Sequence, residues 1–359
     1  KSRVLRGFQP FQVSLDIRIS PAACEQTLDL RKKAVYSCSA PNSGNSLNIH
    51  NYIRAETDTQ FRNWADLGAF AKFYHFRNVV PLDQQVVIRM NRDTLISGVV
   101  LDLNSPAAIK LPDGAGRYLA MQVINQDHYT KLVANGPGSY ILTRESMGTR
   151  YVGVIVRILV DADSPDDVRY VNSLQDQIEL SQEAPGVLDI PDWDKLSLKK
   201  LRDALLILSS ASTSLDRTFG DVGEVDTIDH LLGTAYGWGG QPISDAVYLN
   251  MTPEKNDGST PHTLLLKDIP VNAFWSISLY NAQGFFEQND LNAYVINDRN
   301  ATMNDDGSVT IHFGGSLGQP NYLPIMAGWN YIMRLYKPTQ EFFDGTWKLT
   351  PAMPSNLEY

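Results

Sequence analysis

Cysteine is scarce in this chain of 359 residues: there are two, Cys24 and Cys38, both near the N-terminus. Two thiols make no disulfide scaffold, and no Cys-His spacing of a zinc site occurs. One disulfide closing a short loop and two unrelated thiols both stay open. Long apolar runs are also missing. The stretch Val152–Val160 is broken by Gly153 and Arg157 and falls short of the roughly 20 residues that cross a bilayer. Basic charge is in deficit, with 31 Lys and Arg against 40 Asp and Glu and a formal net charge of -9. Such a surface does not attract phosphate backbones or anionic lipid, so neither nucleic acid nor membrane is an expected partner. No Gly-x-Ser-x-Gly elbow, Walker loop, dinucleotide fingerprint or His-Glu-x-x-His pair occurs, and each would have carried a recognisable chemistry. The six histidines (His50, His75, His128, His230, His262 and His312) are widely scattered. No cofactor and no metal are therefore expected. The sequence opens at Lys1, so the lack of a leader says nothing about compartment. The triplets Asn250-Met-Thr and Asn300-Ala-Thr fit the glycosylation pattern, which chance also produces.

What is present is an ordinary core-forming composition, 43% hydrophobic and 20% charged, in a length that suits about two domains. Ile17–Ile19 reads as a short strand and Ser39–Ser46 as a loop. A helix follows, capped by Thr57 or Asp58, with Phe61, Trp64, Leu67, Ala71 and Tyr74 forming a stripe at helical spacing. From Gln85 to Asp161 the pattern turns to β. Val86–Met90, Thr94–Leu103, Arg117–Asn125, Ser139–Thr143 and Arg150–Asp161 are rich in β-branched and aromatic residues and separated by turn groups. The acidic run Asp161–Asp167 lacks the glycine of a calcium loop. It reads instead as a helix start, with Ser164 as cap, Pro165 in the first turn and the helix running to about Glu179. Ser197 is expected to cap a second helix, and Gly237-Trp-Gly-Gly to end a short one around Ile228–Tyr236. Strands return at Ala246–Met251, His262–Lys267, Phe274–Asn281, Asn292–Ile296, Val309–Phe313 and Trp329–Lys337. Asn256-Asp-Gly and Asp305-Asp-Gly mark turns. The fold class is mainly β with accessory helices, as two tandem antiparallel sandwiches of jelly-roll type. The expected division is an extension over 1–50, a β domain over 51–180, a helical connector over 181–245 and a second β domain over 246–359.

An ordered series of segments carries a family resemblance. It comprises Asn51-Tyr-Ile-Arg-Ala-Glu-Thr-Asp, Asn91-Arg-Asp-Thr-Leu, Gly116-Arg-Tyr, Asn125-Gln-Asp-His-Tyr and Gly148-Thr-Arg-Tyr-Val. Then come His230-Leu-Leu-Gly-Thr-Ala-Tyr-Gly-Trp-Gly-Gly, Phe274-Trp-Ser-Ile-Ser-Leu-Tyr, Asp305-Asp-Gly-Ser-Val-Thr-Ile, Trp329-Asn-Tyr, Arg334-Leu-Tyr and Asp344-Gly-Thr-Trp. Over residues 48–351 the order resembles proteins that pair domain of unknown function 1254 with domain of unknown function 1214. The resemblance implies two β-rich domains and no established chemistry. Ile96 stands where the pattern has an aromatic, and Asn272 where it has Asp.

Candidate chemistry gathers on loops and on one strand face. Asn91, Arg92 and Asp93 lie between two expected strands; Arg92 suits a carboxylate, and a buried Asp93 suits proton transfer. Asp127-His128 and Asp229-His230 place carboxyls beside imidazoles, with Asp229 also a cap. Arg157 interrupts an apolar strand and needs a partner, in an ion pair or a ligand. Strand alternation puts Ser276, Ser278 and Tyr280 on one face and Trp275, Ile277 and Leu279 on the other. It likewise sets Arg334 and Tyr336 against Met333 and Leu335, and His312 against Ile311 and Phe313. Hydroxyls, a guanidinium and an imidazole with little Lys or Glu suit a pocket wall more than a solvent face. The expected function is a cofactor-independent acid/base enzyme, a hydrolase, lyase or isomerase acting on a small polar organic substrate near the domain junction. Asp93, His128, Arg92 and Tyr280 are its catalytic candidates. Asn91, Arg157, Trp275, Ser276, Ser278, His312, Arg334 and Tyr336 are its substrate-binding candidates. The alternative is a saccharide- or metabolite-binding module without catalysis. Homo-oligomerisation is left open.

Overall fold

The computed structural model describes residues 47–85, 88–211 and 216–355. The expectations for Ile17–Ile19, Ser39–Ser46, Cys24 and Cys38 lie outside these residues. The helices are α1 (Tyr52–Asp66), α2 (Arg144–Met147), α3 (Pro165–Asp176), α4 (Lys195–Ser209), α5 (Thr227–Tyr236) and α6 (Gln340–Phe343). The first half carries strands β1 (Tyr74–His75), β2 (Thr94–Asp102), β3 (Ala107–Leu111), β4 (Leu119–Asn125), β5 (Thr130–Asn135), β6 (Gly138–Leu142), β7 (Tyr151–Leu159) and β8 (Glu179–Gln182). The second half carries β9 (Ala246–Met251), β10 (His262–Leu266), β11 (Val271–Tyr280), β12 (Val295–Asn297), β13 (Val309–Phe313), β14 (Tyr322–Leu323), β15 (Asn330–Pro338) and β16 (Met353–Pro354).

The chain is mainly β, built from several antiparallel sheets. In the first half the sheet β1-β2-β7-β4-β5 lies near the small sheet β6-β3-β8. Leu95, Val99 and Leu101 of β2, Val152, Val154 and Val156 of β7 and Ile109 of β3 share the core between them, with Val171 and Leu174 of α3. In the second half β12-β11-β15-β9 faces β14-β13-β10-β16. Trp275, Ile277 and Leu279 of β11 meet Ile311 and Phe313 of β13 in that core, with Met333 and Leu335 of β15. The alternation read in the sequence thus correctly assigns the inner faces of β11, β13 and β15.

Local boundaries differ where capping residues compete. Thr57 and Asp58 do not cap α1; they are buried within it, and Asn51 takes the N-cap position. The stripe stops with the helix, so Leu67 is exposed and Ala71 and Tyr74 lie beyond it. Asp194 caps α4 by accepting from the Ser197 N–H, and Asp226, not Asp229, caps α5. A carboxylate just ahead of the helix satisfies a free N–H better than a hydroxyl or carboxyl inside the first turn. Ser164 caps α3 as expected. Of the expected strand Val86–Met90, the described residues Ile88–Met90 form a turn, with Arg89 at φ 57. Strands β3, β5 and β8 had no counterpart in the sequence reading.

The outer face of each large sheet positions the site. On β7 that face carries Gly153, Arg157 and Leu159, and Gly153 admits Phe61 of α1 against the backbone. Further along, Tyr118, Ala120 and Leu159 meet Phe274, Tyr336 and Ala246 of the second half. Phe274 and Tyr336 stack with centroids 3.9 Å apart, and Tyr118 meets both rings edge-on or tilted at 5.1 and 5.4 Å. Each such aromatic pair contributes about 0.5–1.5 kcal/mol beyond its buried area. A Cβ on Gly153 would stand 2.6 Å from Cε1 of the fully buried Phe61. Gly153→Ala is therefore expected to cost about 1–3 kcal/mol by overpacking. It should lower the urea midpoint at unchanged slope; an unchanged midpoint would mean that α1 slides on the sheet to make room.

Candidate site at the domain junction

The turn at Ile88–Met90 and the segment Asn91–Asp93, bent where Asn91 Oδ1 accepts the Asp93 N–H, run across the outer face of β11 and β15. Asp93 points into this face and is fully buried. Its Oδ2 accepts from Ser276 Oγ at 2.7 Å and its Oδ1 from Asn297 Nδ2 at 3.2 Å. Arg334, also buried, donates to Ser278 Oγ at 2.6 Å, to the Tyr280 hydroxyl at 2.8 Å and to the Arg89 carbonyl at 3.0 Å. Tyr280 passes its own proton to the Met90 carbonyl at 2.8 Å. Asn91 Nδ2 donates to the Tyr336 hydroxyl at 2.7 Å.

Burying a guanidinium costs several kcal/mol unless its N–H groups find acceptors. Here those acceptors are uncharged oxygens, two of them carbonyls of the turn itself. Burial works against the Arg334 cation, yet Tyr280, Tyr336 and Asp93 hold its pKa above the ordinary value. Burial dominates at Asp93 and raises its pKa in spite of Arg334, Ser276 and Asn297.

Arg92 takes the other side. It opens onto a cleft of about 630 Å³ lined by Val79, Leu82, Asp163, Leu291, Asn292 and Tyr294 among others. That lies within the roughly 300–1,000 Å³ usual for small-molecule sites. A recess of about 20 Å³, room for a single water, shares Arg92, Asp163, Asn292 and Tyr294 with it and reaches Asn297. Arg92 lies over the rings of Tyr294 at 5.1 Å and Phe286 at 5.8 Å and donates to the Val80 carbonyl at 3.1 Å. Among the described residues no carboxylate stands within ion-pair distance of it. Burial pulls its pKa down, and Asp163 and Tyr294 oppose that.

The structure brings Asn91, Arg92, Asp93, Ser276, Ser278, Tyr280, Arg334 and Tyr336 to this junction. It does not bring the remaining candidates there. Trp275 points into the core of the second sandwich, opposite Ser276, and His312 lies on the outer face of the other sheet of that sandwich. Neither shares a surface with Arg334, because Trp275 faces the core from the other side of the same sheet and the packed sandwich stands between His312 and Arg334. His128 and Arg157 meet elsewhere, around Gly239. Arg157 donates to the Gly239 carbonyl and to Gln122 Oε1, both at 2.8 Å, so its partners are neutral oxygens. His128 Nε2 accepts the Gly239 N–H at 2.9 Å. Its Nδ1 faces Thr234 Oγ1 at 2.8 Å, and that hydroxyl gives its proton to the His230 carbonyl. Nδ1 must then carry the hydrogen, and both ring nitrogens of a neutral imidazole are used. Burial, with help from His230, holds the His128 pKa well below its ordinary value. Its ring stacks between His230 and Trp238 at 5.5 and 5.7 Å. This geometry gives His128 a structural task.

Sequence reasoning missed Asp163, Asn292, Tyr294 and Asn297. Asp163 was absorbed into a helix-start signal, and nothing local in the sequence ties it to residues some 130 positions away.

A carboxyl whose pKa is raised keeps its proton in the folded protein at pH values where the unfolded chain, near about 3.9, has lost it. In the window between those values the unfolded state binds fewer protons, so stability falls as pH rises. Asp93→Asn removes that component. The wild-type minus variant difference in unfolding free energy should decline as pH rises above about 4 and then level off. Urea titrations across pH read it directly, and parallel curves would contradict it.

Residues 70–182 match the family described as protein of unknown function DUF1254, and residues 246–340 the family described as protein of unknown function DUF1214. No curated protein matches the chain. The VPA0106 protein from Vibrio parahaemolyticus is similar in structure, with a TM-score of 0.67 at 19% identity over 86% of this chain and 98% of that one. At that identity the likeness speaks for the fold. An uncharacterized protein from Burkholderia cenocepacia gives a TM-score of 0.48 at 14% identity over 81% of this chain and 84% of its own. With the two domains present in the order that the sequence resemblance implied, the chain belongs to the proteins that join a DUF1254 domain to a DUF1214 domain.

Proposed function

We propose that the cleft between the two β domains binds a small organic acid, with Arg92 holding its carboxylate. One observation carries this reading: a guanidinium faces a cleft of about 630 Å³, and among the described residues no carboxylate stands within ion-pair distance of it. Tyr294 and Phe286 brace the flat of the guanidinium, and Val80 fixes one edge. The edge left free is the one a carboxylate engages in a two-pronged contact. Val79, Leu82 and Leu291 offer an apolar wall for the rest of the molecule.

Acid/base catalysis is a second reading of the same place. Asn297 both lines the inner recess and donates to Asp93. A carboxyl with a raised pKa therefore stands one hydrogen bond behind the ligand. Movement of Asn297 would join the two.

A thermal-shift panel of aliphatic, aromatic, hydroxy and amino acids tests the first reading. Ligands that bind the folded state alone raise Tm as their concentration exceeds Kd. At least one class should stabilise the wild type, and Arg92→Gln should abolish the shift while circular dichroism stays unchanged. A panel without any shift, or one equal in the variant, rules the site out. Following a stabilising acid by NMR separates the readings, since recovery of the acid unchanged leaves binding alone.

A further inference from the structure

We infer that the molecule held in this cleft is a zwitterion of the amino-acid type, with its ammonium on Asp163 and its carboxylate on Arg92. The inference rests on the binding reading above and names its ligand class. Arg92 and Asp163 both line the cleft and both line its recess. They are not paired with each other within ion-pair distance, and the described residues supply neither with another counter-ion. Arg92 spends one N–H on the Val80 carbonyl, and the Asp163 carboxylate accepts no hydrogen bond from a described residue. Asp161 adds a second carboxylate to the recess, and one of its oxygens accepts the Asp163 N–H at 3.2 Å.

Charge selection follows from this arrangement. A ligand with only a carboxylate gains Arg92 but brings a third negative charge beside two carboxylates. A ligand with only an ammonium gains the acidic side but brings a second cation beside Arg92. A molecule with both groups meets an opposite charge at each end, and like-charge repulsion excludes its two halves taken singly. Partial desolvation beside the recess, with Asp161, raises the Asp163 pKa against the pull of Arg92. An ammonium placed there would offset both effects. The aliphatic wall of Val79, Leu82 and Leu291 favours a branched apolar side chain on the same molecule.

Calorimetric titration with three probes tests this: L-leucine, 4-methylpentanoate, which lacks the amine, and L-leucinamide, which lacks the carboxylate. On the wild type, leucine should bind at least tenfold more tightly than either of the others. In Asp163→Asn, leucine should bind no better than 4-methylpentanoate, and 4-methylpentanoate should bind as well as before or better. In Arg92→Gln both should be lost. Asp163 is exposed, so its substitution leaves the core untouched and keeps the comparison available if Arg92→Gln fails to fold. Equal affinity for leucine and 4-methylpentanoate on the wild type, or a preference that persists in Asp163→Asn, would overturn the zwitterion while leaving the acid site standing. Asp163-dependent binding of leucinamide alone would overturn both. Failure of all three probes on the wild type would overturn the inference as well.

Discussion

The buried guanidinium of Arg334 is the constraint on which the junction depends. A cation on the outer face of a sheet normally reaches water. Here the turn at Ile88–Met90 covers it and supplies carbonyl oxygens of Arg89 and Met90 as acceptors. The arrangement is reciprocal. Without the turn, Arg334 would keep its charge and take water instead. Without Arg334, the Arg89 carbonyl would lie against the sheet without its donor, and the Met90 carbonyl would keep only the Tyr280 hydroxyl. A residue of the DUF1214 domain thus fixes a turn of the DUF1254 domain, and the direction of the following three side chains follows from it.

That direction links architecture to chemistry. Once the turn is fixed, the bend that Asn91 closes sets Asp93 inward at Ser276 and Asn297 and leaves Arg92 on the cleft. The aromatic contacts of Tyr118, Phe274 and Tyr336 supply apolar adhesion beside this polar seam. Much of the gain from hydrogen bonds to a buried charge offsets the cost of its desolvation. The two kinds of contact divide the work: the rings hold the domains together, and the seam decides where Arg92 points.

Much of the fold was legible in the sequence, and the reasons are local. Strand alternation in Phe274–Asn281 and Asn330–Lys337 reports which side chains face a core, since period two is a property of the chain itself. Ser164 and Pro165 announce a helix start for the same reason. The short strands β3, β5 and β8 were not legible: Ala107–Leu111 and Thr130–Asn135 carry Lys and Asn that pairing with neighbours overrides. The junction was half legible. A polar face poor in Lys and Glu, with Ser276, Ser278, Tyr280 and Arg334, is a signal of burial, and Asn91–Asp93 is a signal of a functional loop. That the second lies on the first is a tertiary fact. Trp275 was grouped with the polar face by residue type, against its own strand parity, whereas His312 has the polar parity on a strand of the opposite sheet, and packing places both on other surfaces. His128 shows the reverse case, in which an imidazole beside a carboxylate in sequence takes its partners from a distant helix and a glycine.

The central claim is that the turn is locked onto Arg334 in the native state. Hydrogen exchange at the Arg89 amide, which donates to the Gly284 carbonyl at 2.7 Å, tests this most directly. A locked turn predicts protection comparable to the amides of β2, released together with them by global unfolding. Exchange at the rate of an exposed loop, while β2 stays protected, would show that the turn lifts away from Arg334 on its own and would contradict the account.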